Sequence, residues 1–90
     1  MKQTFHRLRR VEIEQYEECR YHLHPGSPDG KRTTVDNVEA FEVVHGEAAA
    51  QLEANMSPDR LDPFHEYLVL YLANGQTMTY RNSYVDLFAI

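Results

Sequence analysis

The plainest pattern of apolar and polar positions lies towards the end of the chain. Residues 66–73 (Glu-Tyr-Leu-Val-Leu-Tyr-Leu-Ala) are β-branched, aliphatic and aromatic; Asn74-Gly75 follows, and residues 76–81 (Gln-Thr-Met-Thr-Tyr-Arg) continue. Asn-Gly between two such runs predicts a β-hairpin with a two-residue type I′ turn, whose central positions both need positive φ. That turn would set Leu72 against Thr77, Tyr71 against Met78, Leu70 against Thr79 and Val69 against Tyr80. One hairpin face would then carry Tyr67, Val69, Tyr71, Met78 and Tyr80. The other would carry Leu68, Leu70 and Leu72 opposite Thr77, Thr79 and Arg81. Residues 66–73 are apolar on both faces, which predicts a central strand covered on each side. Residues 84–90 end the chain on apolar side chains and read as a last strand or short turn packed on the sheet.

Further back, residues 38–44 (Val-Glu-Ala-Phe-Glu-Val-Val) read as a strand that stops at His45-Gly46. Residues 47–56 are rich in strong helix formers, and Ala48, Ala49, Leu52 and Met56 form an apolar stripe at helical spacing. Between residues 5 and 24 two periods compete. A helix would gather Phe5, Leu8, Tyr16, Cys19 and Leu23 on one face but leave Glu12 in its middle. Strand alternation is cleaner, with Val11 and Ile13 on one side, Glu12 and Glu14 on the other, and strand is the expectation. Two loops punctuate the chain. One is His24-Pro-Gly-Ser-Pro-Asp-Gly30; the other runs from Ser57 to Pro63, where Ser57-Pro58-Asp59 could start a helical turn.

These elements predict an α+β fold: a small antiparallel sheet of four or five strands with one helix, about 47–56, packed on a face. The expected core is Phe41, Leu52, Met56, Leu68, Leu70 and Leu72, with Val43 and Phe88 behind them. Ninety residues suit a single domain, 1–90, since one core typically serves roughly 100–200 residues.

Composition narrows the class of protein. One cysteine cannot form an intramolecular disulfide, so packing or a partner must hold the fold. The longest apolar run, Tyr67–Ala73, is far short of the ~18 residues of a membrane span, and the basic start has no apolar segment behind it to make a secretory signal. A cytoplasmic location is the expectation. The formal charge is −5, unevenly distributed. Residues 1–10 carry Lys2, Arg7, Arg9 and Arg10 and no acid, whereas Asp36, Glu39, Glu42, Glu47 and Glu53 fall in a stretch without a base. That acidic middle disfavours nucleic acid as the main ligand, because phosphate binding needs clustered Lys and Arg.

Candidate chemistry is sparse. Cys19, His22 and His24 are near enough in sequence to suggest metal ligation, yet His6, His45 and His65 complete no recognisable zinc spacing. Cys19 lacks the activating surroundings of a nucleophile, and Glu12/Glu14 and Glu17/Glu18 are as abundant as an acidic chain makes them. The glycines, at 26, 30, 46 and 75, form no phosphate-cradling loop. No catalytic residue, no metal and no cofactor is expected, and the chain reads as a binder, not an enzyme.

Two surfaces compete for that role. The acidic residues Asp36, Glu39, Glu42, Glu47 and Glu53 would face a partner protein's basic surface, with charge aiding association. In size, charge and want of catalytic motifs the chain resembles accessory proteins of phages and other mobile elements, anti-CRISPR-type inhibitors among them. The resemblance implies an inhibitor that presents carboxylates to a partner's basic surface, and it carries over no site residue. The alternative surface is the basic segment with Arg7, Arg9 and Arg10, through which a regulator could touch nucleic acid. A structural homo-oligomer joined by edge strands is the third reading.

Overall fold

The computed structural model describes residues 2–17, 30–53 and 66–89. They form β1 (Gln3–Gln15), β2 (Lys31–His45), α1 (Glu47–Glu53), β3 (Glu66–Leu72), β4 (Thr77–Arg81), a 3-10 turn (Asn82–Tyr84) and β5 (Val85–Ala89). The five strands make one antiparallel sheet in the order β4-β3-β2-β1-β5. The architecture is α+β with strands dominant and the helix minor. The loop segment 24–29, the Ser57–Pro63 break and the tail of the expected helix lie outside the described residues.

Alternation dictates what goes inside. In β1, Val11 and Ile13 are fully buried while Glu12 and Glu14 point to the other face, as strand periodicity requires. One continuous core joins Val11, Ile13, Val35, Val38, Leu68, Leu70 and Val85, with Phe5, Phe41, Val43, Leu72, Met78, Tyr80 and Leu87 packed against it. Each fully buried aliphatic side chain contributes roughly 1.5–3 kcal/mol. β3 is covered on both faces, Tyr67 and Val69 being as buried as Leu68 and Leu70. Phe88, expected in the core, is 43% exposed. Val85 and Leu87 take the inner positions of β5, so Asp86 and Phe88 must face out. In α1, Ala49 is buried but Ala48 is exposed; the side chains of Leu52 and Met56 lie outside the described residues.

The two outer strands, β4 and β5, are joined by only the 3-10 turn. In a flat sheet they would lie four interstrand spacings apart, roughly 19 Å. The four steps from Arg81 to Val85 reach about 14 Å at full extension, and a 3-10 turn rises less. The sheet must therefore curl until its outer strands approach at this end, with the core on its inner face.

β1 and β2 accommodate the curl with local irregularities. Between Thr4↔Ala40 and Arg9↔Val38, five steps on β1 meet two on β2, so Phe5–Leu8 stand opposite Glu39 alone. Between Arg9↔Val38 and Val11↔Val35 the surplus residue is on β2, where Asn37 adopts φ 59°. A further surplus on β2 follows between Val38 and Ala40, against β3. Such bulges bend a strand and sharpen its twist.

The hairpin is where expected, but its register is not. Leu70 faces Met78 and Leu68 faces Tyr80, one residue away from the type I′ pairing. Gly75 N–H donates to the Leu72 carbonyl at 3.0 Å, and Leu72 N–H to the Gln76 carbonyl at 2.9 Å. Gly75 has φ 85°, while Asn37 is the only non-glycine residue with positive φ among those described. Asn74 thus cannot be in a type I′ turn. The loop is the three-residue form, a type I turn closed by a left-handed glycine. A slip of one residue exchanges faces. It brings Met78 and Tyr80 to the core beside Leu68 and Leu70, and separates Tyr80 from Tyr67 and Tyr71.

A Cβ at Gly75 would meet nothing within 4 Å, so replacing this residue isolates the conformational cost. Gly75→Ala should lower unfolding free energy by about 1–2 kcal/mol, the usual cost of left-handed backbone for a residue with a Cβ. Asn37→Ala should cost about 1 kcal/mol and Asn37→Gly less, since Asn tolerates this conformation and Gly adopts it freely. Urea unfolding midpoints at unchanged slope provide the measurement.

Candidate binding surfaces

On the outer face of β5, β1 and β2, the pairs Glu14↔Asp86 and Glu14↔Arg32 align three ionisable side chains across the sheet. Arg32 Nε lies 3.2 Å from Glu14 Oε2, and its Nη1 donates to Glu12 Oε1 at 2.7 Å. The guanidinium also stands 5.6 Å from the Phe88 ring centroid, which explains how an outward phenylalanine finds a neighbour. Glu14 and then Glu12 raise the Arg32 pKa. Glu14 is buried, with its side chain 8% exposed, and also accepts a hydrogen bond from Gly30 N–H at 3.1 Å. Gly30 has to be glycine for that approach, because a Cβ would lie 2.5 Å from the Gln15 carbonyl oxygen and 2.8 Å from Glu14 Cγ. Tyr16 completes the group: its N–H donates to the Tyr84 carbonyl at 2.8 Å and its hydroxyl to Asp86 Oδ2 at 2.6 Å. The Asp86 hydrogen bond, burial and the charges of Asp86 and Glu14 push the phenol up to about 12. These residues hold the ends of three strands together, with their charges turned on one another.

The basic start of β1 is different. Lys2, His6, Arg7, Leu8, Arg9 and Arg10 are all exposed, Leu8 by 54%. Phe5 packs on Phe41 with centroids 5.6 Å apart, and Arg9 lies over the Phe5 ring at 5.5 Å. Lys2 Nζ sits 4.2 Å from the Tyr71 ring centroid. Arg10 pairs with Asp36, both well exposed, so the pair adds at most about 1 kcal/mol to stability.

The acidic residues differ in their surroundings. Asp36 is taken by Arg10. Glu42 accepts the Tyr71 hydroxyl at 2.8 Å, which raises the phenol's pKa. Glu39 is exposed opposite the β1 bulge, and Glu47 is exposed in the first turn of α1. The side chain of Glu53 lies outside the described residues. Antiparallel pairing of β1 with β2 also sets the basic start alongside Asp36 and Glu39, so segments of opposite charge that are separate in sequence are neighbours in space.

Cys19, His22 and His24 lie outside the described residues. Among the described residues, no three His, Cys, Asp or Glu side chains are grouped to hold a metal ion, and no helix is long and apolar enough to cross a membrane. Sequence reasoning missed the Tyr16–Asp86–Glu14–Arg32 group. Its signal is the alternation of Glu12 and Glu14, but choosing Arg32 and Asp86 as partners needs the strand pairing.

A phenol whose pKa is raised on folding binds its proton more tightly in the native state. Its contribution is complete below the unfolded value near 10 and is lost as pH rises through about 12. Tyr16→Phe should therefore make the fall in melting temperature between pH 10 and 12 shallower, though Tyr71 and Tyr80, also raised, will keep part of it. Melting curves of both proteins across that window decide the matter; parallel profiles would deny Tyr16 this role. Compared with known proteins, the chain matches no family model, no curated protein and no solved structure.

Proposed function

We propose that this chain is a small interaction domain that docks on a protein partner through the basic arm of β1, with Arg7 and Arg9 as the charges that meet it. The observation that carries this reading is how the charges are used. Among the described residues of the acidic segment, two carboxylates are engaged within the chain, Asp36 by Arg10 and Glu42 by Tyr71. Arg7, Leu8 and Arg9 are exposed beside the Phe5–Phe41 pair. An arm of this kind suits an acidic protein surface: the arginines speed encounter, and exposed Leu8 supplies apolar contact. The domain then acts by occupying a surface and needs no catalytic group. An inhibitor that presented carboxylates instead would depend on Glu39 and Glu47, together with Glu53.

A second reading uses the same arm for single-stranded nucleic acid. Cations beside rings, as in Lys2 with Tyr71 and Arg9 with Phe5, favour it, since such binders combine basic side chains with stacking aromatics. The net charge of −5 opposes it.

Affinity capture from a host-cell extract, with and without nuclease, separates these readings. The expected result is a protein partner retained after nuclease, lost with Arg7→Ala/Arg9→Ala and kept with Glu39→Ala/Glu47→Ala. Capture that disappears on nuclease treatment supports the nucleic-acid reading. Loss only in the glutamate variant would restore the carboxylate surface.

A further inference from the structure

We propose that β4 pairs with β4 of a second copy across a two-fold axis, extending the sheet into a homodimer. This surface is separate from the β1 arm. β4 is an outer strand of the sheet, and among the described residues it pairs with β3 alone. Outer strands present unpaired N–H and C=O groups, which proteins that stay monomeric shield with charges, proline or bulges. β4 is lightly shielded: Thr77–Tyr80 carry no charge and no proline, the pairing with β3 is regular, and the one charge in the strand, Arg81, stands at its end.

Charge singles out this place on the molecule. Residues 67–80, which make the β3–β4 hairpin, contain no Asp, Glu, Lys or Arg in a chain that is 26% charged. A protein of net charge −5 repels its own copies, and that repulsion is least where the surface is neutral. β5, the other outer strand, carries Asp86. A second copy would have to desolvate that carboxylate in part.

The sequence of β4 is also complementary to itself. An antiparallel pairing centred on Thr79 overlaps all five residues. Thr79 meets the second copy's Thr79, a favourable hydroxyl pair. On the inner face Met78 meets Tyr80, a sulfur–aromatic contact; on the outer face Thr77 meets Arg81. The two Arg81 residues lie at opposite ends of the overlap, about 14 Å apart along the strand and beyond the ~10 Å screening length. Arg81 is held over the Tyr84 ring at 4.1 Å, so a charge at position 77 of a second copy would find it in place.

Thr77 is exposed and can be changed without disturbing the core. Thr77→Asp places a carboxylate opposite Arg81 twice in the dimer, and Thr77→Lys places like charges there. Sedimentation equilibrium from low micromolar to millimolar protein should show the mass of the unaltered chain doubling. Thr77→Asp should lower the dimer Kd roughly tenfold, and Thr77→Lys should raise it by a similar factor, for two symmetric pairs. Net charge alone predicts the reverse order, because Asp adds to the excess of acid and Lys relieves it. A monomer at every concentration overturns the proposal, as does a dimer whose Kd follows net charge or does not respond to position 77.

Discussion

The short 3-10 link between β4 and β5 is the constraint on which the rest of the structure depends. Three residues join strands at opposite ends of a five-strand order. Once the end of β4 and the start of β5 must lie within reach of that link, the sheet must roll, and a rolled sheet has an inside. That inside gives a small chain without disulfides one contiguous core, fed by all five strands. Ser83 is fully buried within the link, and Asn82 Nδ2 donates to Glu66 Oε2 at 3.2 Å, tying the turn to the start of β3. The irregularities of β2 answer the same constraint. A regular fifteen-residue strand would keep β1 and β3 in one gently twisted plane, whereas surplus residues between Asp36 and Ala40 turn it sharply.

Legibility in the sequence follows the distance over which each feature is decided. Val11, Ile13, Leu68 and Leu70 were readable because their burial follows from alternation within one strand. The hairpin was locatable because Asn74-Gly75 sits between two apolar runs. Its register was not, since Asn-Gly serves a two-residue loop or the three-residue one. A contact remote in sequence accompanies the longer loop: Ala73 N–H donates to the carbonyl of Asn37, at 3.0 Å. The first half of β2 was invisible for a related reason. Lys31–Thr34 are polar and exposed, and what makes them a strand is residue-by-residue pairing with Glu12–Gln15.

The candidate surfaces show the same division. Exposure of Arg7, Arg9 and Arg10 follows from a basic run in which Leu8 is the one apolar side chain. The fate of the carboxylates does not follow from their spacing. Asp36 and Glu42 look alike in sequence, yet one meets an arginine and the other a tyrosine, while Glu39 stands beside a bulge. Counting charge along the chain treats position in sequence as position in space. Antiparallel strands violate that by bringing the basic start and the acidic middle side by side.

The outer network of Glu12, Glu14, Arg32, Tyr16 and Asp86 can then be weighed against the core beneath it. Three carboxylates share one guanidinium and one phenol, in a place where Glu14 is largely withdrawn from water. A buried carboxylate costs several kcal/mol unless paired and hydrogen-bonded, and even a good pair recovers little beyond that cost. The net contribution of the group to stability is therefore small beside that of Val11 and Ile13 on the opposite face. Its effect is on register. A slip of β1 by one residue would bury Glu12 and Glu14 in the apolar interior and strand Arg32 without either. Alternating carboxylates set against one arginine make that slip far more costly than an alternation of neutral residues would. The polar face thus specifies which of the possible pairings the apolar face is allowed to stabilise.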